Sequence, residues 1–155
     1  MAEAASPAKL ALLTTMKTWI VDTGPLVAYL DATDPAHTAV AVTLDEFRGQ
    51  LATTGAVLTE AMHFVSSARH GPRLLSELVS SNAMTVYDLC RQPELTAAVA
   101  LMEKYSDTPM DFADATLVLL AEALEIRDVL TLDRRGFATY RTRSRRSFRI
   151  VLDGT

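Results

Sequence analysis

Short β-branched runs and longer helix-spaced runs alternate along the chain. Residues 17–22 (KTWIVD) hold an apolar strand, Trp19 to Val21, that stops on Asp22. Gly24 and Pro25 then open a helix to about Asp31, proline being favoured in a first turn. A second helix is predicted over 34–49, with Asp34 as N-cap and Gly49 as stop. Residues 51–54 (LATT) read as a short strand, and 56–71 as a helix closed by Gly71. Pro72 begins the next helix, which runs to Asn82. Residues 84–89 (MTVYDL) suit a strand and 93–107 a helix. The most helix-favouring segment is 111–126 (DFADATLVLLAEALEI). Residues 128–133 (DVLTLD) repeat the opening pattern, an apolar strand ending on an acid. A short helix around Phe137 and a strand at 148–152 (FRIVL) complete the order.

Strands separated by helices imply a mostly parallel sheet covered on both faces, a three-layer α/β/α sandwich. In that class ligands bind beyond the carboxyl ends of the strands. Asp22 and Asp133 both stand at such ends. No internal repeat or linker divides the chain, so residues 17–155 are expected to form a single domain. Residues 1–16 are rich in small residues and are expected to be a flexible N-terminal extension, with Met16 an alternative to Met1 as the start of translation.

Composition narrows the chemistry. Among 155 residues Cys90 is the only cysteine, which excludes an internal disulfide and a zinc site built on several thiolates. The amino-terminal run LALL is too short for a signal peptide or a membrane anchor. A soluble protein of the reducing cytoplasm, with no membrane association, is the expectation. Net charge is −4, but 134–149 carries seven arginines and no acid. A solvated loop accounts for such a run, and so does an electrostatic footprint for a polyanion.

Two further acids join the two at the strand ends. Glu60 lies within an otherwise apolar helix, and Asp114 lies in the first turn of the 111–126 segment. Singly, each has an ordinary reading, as a cap, a first-turn acid or a solvated side chain. If the two strand ends and the two helices converge, four carboxylates share one pocket and cannot all stay ionised uncompensated. A divalent cation is the simplest remedy, and all-oxygen ligands select a hard ion, Mg2+ or Mn2+. Such a site suits phosphodiester hydrolysis.

The segments VDTGPLVAYLD, LTEAMHFV, DFADATLVLLAEALEI and VLTLDRRGF together resemble the PIN domain, and within it the VapC-like toxins of bacterial toxin–antitoxin pairs. The resemblance covers roughly residues 17–152, and its most specific feature is the ordered spacing of four acids with T-x-D-x-x-x-F at the fourth. It implies a Mg2+- or Mn2+-dependent ribonuclease with an α/β/α fold, often dimeric, held inactive by an antitoxin protein. Carried over by position, Asp22 and Asp114 would be the principal metal ligands. Asp133 would complete the cluster and Glu60 would hold metal-bound water or help position it, so all four acids are expected to be catalytic and to belong to the metal site. Thr23 and Thr131 match the hydroxyls beside the first and fourth acids, and would orient carboxylates by hydrogen bonds. Asp111 stands three residues before Asp114 on nearly the same helix face, and either could be the third acid. The Asp-Ala before the apolar helix favours Asp114, which leaves Asp111 as N-cap or outer ligand. His63, one turn after Glu60, is read as structural or partner-facing.

The expected activity is therefore endoribonucleolytic, leaving a 5′-phosphate and a 3′-hydroxyl. Arg134, Arg135, Arg141, Arg143, Arg145 and Arg146 would contact RNA phosphates, or an acidic tail of the antitoxin. Two alternatives stand beside it. One is a PIN-like scaffold that only binds a partner protein, which would need none of the four acids. The other is a small-molecule phosphohydrolase. The enzymes of that kind that work through an aspartyl phosphate generally need a second Asp where this chain has Gly24.

Overall fold

The structure, a computed structural model, describes residues 16–154. The expected extension thus lies, Met16 apart, outside the described residues. Five strands form one sheet: β1 (Thr18–Val21), β2 (Gln50–Thr54), β3 (Thr85–Tyr87), β4 (Asp128–Leu130) and β5 (Arg149–Ile150). Their order is β3-β2-β1-β4-β5, and every pairing is parallel. Helices α1 (Thr23–Leu30), α2 (His37–Glu46), α3 (Gly55–Val65), α4 (Gly71–Ser81), α5 (Gln92–Lys104), α6 (Phe112–Leu124) and α7 (Arg134–Thr139) cover the sheet. This is the three-layer α/β/α sandwich expected from the alternation of elements. A 3-10 turn, Val151–Gly154, follows β5.

The central strands are continuous apolar runs because both faces of a parallel sheet are covered. Ile20, Val21, Val129 and Leu130 are fully buried, beneath Leu26, Leu117 and Leu120 from the helices. Removing each such side chain from water contributes about 1.5–3 kcal/mol. The chain winds outward from β1 through β2 to β3, then returns to the other side of β1 to lay down β4 and β5. The switch point thus lies between β1 and β4, where this class of sheet opens a crevice.

Three local expectations differ from the structure. Gly71 does not close a helix. It is the first residue of α4, where an added Cβ would lie 2.0 Å from the Val65 carbonyl oxygen, so glycine permits the tight α3–α4 turn. The left-handed residue there is His70, at φ 61°. Asp34 is not the N-cap of α2. Its carboxylate accepts from Ala36 N at 2.8 Å in the turn before the helix, which runs only over His37–Glu46. The last strand is two residues long because the chain turns into the 3-10 segment at Val151.

Candidate active site

Four of the acids named from the sequence come from segments that approach the switch point. Asp22 ends β1 and caps α1, its Oδ1 accepting from Thr23 N at 2.7 Å. Its Oδ2 accepts from the Thr131 hydroxyl, also at 2.7 Å, just past β4. Thr131 is fully buried and its oxygen accepts in turn from Asp133 N at 3.0 Å. One hydroxyl thereby bridges the first and fourth acids. Asp133 caps α7 by accepting from Gly136 N at 3.0 Å.

The start of α6 is a reciprocal capping box. Asp111 accepts from Asp114 N at 2.8 Å, and Asp114 accepts from Asp111 N at 3.3 Å. Such a box satisfies two amide donors that the first helical turn leaves open, and the helix dipole favours both charges. Asp111 is thus the N-cap, exposed, while Asp114 is buried. Glu60 sits in the second turn of α3, which begins directly at the end of β2, with the Thr54 hydroxyl accepting from Val57 N. The Thr23 hydroxyl reaches the Val57 carbonyl at 3.5 Å, tying the start of α1 to α3.

These carboxylates feel one another. Burial pushes Asp22 up to about 6, against the Thr131 and Thr23 hydrogen bonds, and the charges of Asp111 and Asp133 add to the rise. Burial pushes Asp114 up to about 8, followed by the charges of Asp22 and Asp111. Glu60 is raised as well, by burial first and then by Asp111 and Asp22. Among the described residues no ion pair joins a Lys, Arg or His to Asp22, Glu60, Asp111, Asp114 or Asp133. No protein cation among them pairs with the cluster.

Its donor set fits a hard divalent cation: every side chain is a carboxylate, and each keeps lone pairs free beyond its capping bond. No group of three His, Cys, Asp or Glu side chains among the described residues converges tightly enough to enclose an ion. The hydrogen bonds of Asp22, Asp111, Asp114 and Asp133 go instead to backbone amides and to Thr131, while Glu60 meets the side chains of Thr23 and Asp111.

The sequence does not point to Tyr140. It is fully buried, its hydroxyl donates to the Pro109 carbonyl at 3.1 Å, and its pKa is raised by burial and then by Asp114, Asp133, Asp111 and Asp22. No local motif marks it. Only the fold carries it across to the loop before α6. His63 is exposed, with its ring edge toward Phe64.

The arginines divide into two groups. Arg134 and Arg135 open α7 immediately after Asp133, and Arg134 pairs with Asp153 at 3.1 Å. The others lie on a turn in which Thr142 N donates to the Arg146 carbonyl and Arg141 bridges Ser147. Arg141 spends its Nη1 on the carbonyls of Ala138, Thr139 and Tyr140, at the end of α7. Arg143 pairs with Glu122 in the last turn of α6, and with Arg146 it lines a cavity of about 320 Å3 there. That is roughly 12 Å along the helix from Asp114, at 1.5 Å per residue. A second cavity, about 670 Å3, lined by Lys17, Trp19, Phe47 and Arg149, has none of the clustered acids in its wall.

No protein-family model matches the chain. It is similar to Ribonuclease VapC26 of Mycobacterium tuberculosis, with 34% identity over 124 residues, covering 79% of this chain and 91% of that protein. Its fold is similar to the crystal structure of Mycobacterium tuberculosis VapC20, a sarcin-ricin loop cleaving toxin. The TM-score is 0.67 at 18% identity, over 76% of this chain and 91% of that one. Sequence likeness of that extent, on a sheet that brings its acids to the switch point, means that the chain belongs to the VapC-like branch of the PIN-domain family.

Proposed function

We propose that this protein is a Mg2+- or Mn2+-dependent endoribonuclease, the toxin of a toxin–antitoxin pair acting in the cytoplasm. One observation carries the reading: buried, mutually repelling carboxylates gather at the switch point with no protein cation paired to them. The similar proteins are named as a ribonuclease and as an RNA-cleaving toxin.

In this reading Asp22, Asp114 and Asp133 hold the ion, and Glu60 orients the attacking water from the α3 side. Asp111 is an outer acid that fixes the start of α6. A bound divalent ion supplies Lewis acidity, making water nucleophilic and neutralising charge on the phosphate. Thr131 holds Asp22 and Asp133 in mutual register through its hydroxyl, and Thr23 anchors the first acid's helix against α3.

Arg134 and Arg135 neutralise phosphates next to the scissile one, which an acidic pocket would otherwise repel. The turn with Arg141, Arg143, Arg145 and Arg146 takes RNA farther from the site or docks an acidic segment of the antitoxin. Met62, Phe64 and Leu74 are exposed on α3 and α4, which supports a homodimer in which apolar surface is covered.

The test is to offer antitoxin-free protein two substrates with Mg2+ or Mn2+, total RNA and a small aryl phosphate. Cleavage of RNA alone is expected. Turnover of the aryl phosphate with RNA left intact would make it a small-molecule phosphohydrolase.

A further inference from the structure

We infer that Tyr140 is a positioning residue for the acid cluster, the hydroxyl that fixes the start of α6 against the start of α7. The inference rests on the metal-site reading above and adds to it a residue outside the four acids. Asp111 and Asp114 reach the cluster from the start of α6, which the loop 105–111 leads into, and Asp133 reaches it from the segment between β4 and α7. Nothing in those two stretches pairs as a strand among the described residues. Their separation has to be set by side chains.

Tyr140 sets it at the end of the loop next to the acids. The Tyr140 hydroxyl donates to the Pro109 carbonyl at 3.1 Å, two residues before Asp111. Arg141 N donates to the Tyr105 hydroxyl at 2.9 Å, at the other end of the same loop. The Tyr105 and Tyr140 rings meet edge to face at 5.1 Å, and Phe137 packs on Tyr140 at 5.2 Å. The hydroxyl also faces Asp133. A Cβ added to Gly136 would lie 2.1 Å from Asp133 Oδ2 and 2.9 Å from the Tyr140 oxygen, so both oxygens line one narrow gap. Tyr140 therefore touches the loop that leads into the two acids at the start of α6, and it faces the helix start that carries another. Burial among carboxylates keeps its hydroxyl protonated and able to donate.

A residue that only filled the core would be replaceable by phenylalanine without consequence for metal. A positioning residue would not, since groups that orient ligands typically change metal affinity by about 10–100-fold when removed. Tyr105→Phe is the matched control. It deletes the other hydroxyl of the same aromatic cluster, the one facing Arg141 N and not the acids.

The experiment is calorimetric titration of Mn2+ into wild type, Tyr140→Phe and Tyr105→Phe, each checked for folding by thermal melting and circular dichroism. The Mn2+ electron paramagnetic resonance spectrum of each variant supplies a readout independent of turnover. Binding to wild type, at least tenfold weaker in Tyr140→Phe with an altered spectrum and within about twofold in Tyr105→Phe, is the expected result. Equal affinity and identical spectra in Tyr140→Phe and wild type would overturn the role of Tyr140 and leave the metal site standing. Equal weakening in both variants would overturn it too, as a general loosening of the aromatic cluster. Absence of Mn2+ binding in wild type would overturn both the metal site and the inference built on it. If Tyr140→Phe does not fold, Tyr140→Leu and Tyr140→His replace it. Recovery of Mn2+ affinity in the histidine form, which can donate a hydrogen bond, above that of the leucine form, which cannot, supports the inference, and equal affinity in the two overturns it.

Discussion

Thr131 and Asp22 lie 109 positions apart in the sequence and 2.7 Å apart at the site, the hydroxyl donating to Oδ2. The same hydroxyl oxygen accepts from Asp133 N, so one threonine aligns two acids that follow neighbouring strands. Thr131→Val keeps the shape and removes the donor. A hydrogen bond to a charged group contributes about 1.5–3 kcal/mol, so the variant is expected to lose stability of that order. With the hydrogen bond that pulls Asp22 down removed, Mn2+ affinity near neutral pH should fall about tenfold. Thermal melting and calorimetric titration check the two effects separately.

Asp22→Asn should abolish metal-dependent cleavage while raising the melting temperature of the protein in chelator. Asparagine can still cap α1, and it removes one buried charge from among like charges. A melting temperature well below wild type in EDTA would mean that the Thr131 hydrogen bond to the Asp22 carboxylate outweighs the cost of burying its charge among the other acids.

Stability in chelator should depend on pH through these same acids. Asp22 and Asp114 titrate near 3.8 when unperturbed, and in the fold they are pushed up to about 6 and about 8. Between those values the folded protein holds protons that the unfolded chain has released. The stability they contribute is therefore fully present below about pH 4 and is lost as pH rises toward 8. The melting temperature in EDTA is expected to drop between pH 5 and pH 8, with a smaller drop in Asp114→Asn. Equal slopes in the two proteins would remove Asp114 from the coupled cluster. Added Mn2+ should flatten the wild-type slope.

Gly136→Ala pushes a methyl group into the gap between Asp133 and Tyr140. Overpacking of this kind costs about 1–3 kcal/mol, and here it also displaces the Asp133 carboxylate, so Mn2+ affinity should fall with stability. Denaturant unfolding and Mn2+ titration of the same preparation measure both. An alanine variant with wild-type affinity would show that Asp133 moves freely.

The two arginine groups make separable predictions. Neutralising Arg134 and Arg135 should weaken RNA binding and reduce the salt slope by about 0.7 for each phosphate left without its arginine. Replacing Arg143, Arg145 and Arg146 tests whether the turn far along α6 touches the same RNA. An unchanged slope would assign that turn to the antitoxin or to solvent. Filter binding across a salt series decides each case.

Much of this was legible in the sequence because the signals are local. Apolar runs ending on Asp22 and Asp133 marked strand ends, and the Asp111/Asp114 spacing marked a helix start, which the capping box realises. What was not legible depends on the meeting of distant segments. Gly71 reads as a helix stop by type, yet close approach to the Val65 carbonyl makes it a start. Tyr140 follows no motif, since its importance lies in meeting Pro109 across the fold. The basic run looks continuous in sequence, but its turn carries Arg143 and Arg146 to the far end of α6.

The most direct measurement is cleavage of total RNA by antitoxin-free protein in Mg2+, Mn2+ and EDTA, beside Asp22→Asn shown to be folded. Cleavage is expected with either ion in wild type and none in chelator or in the variant. Cleavage that persists undiminished in EDTA, or at wild-type rate in Asp22→Asn, would contradict the metal-site reading.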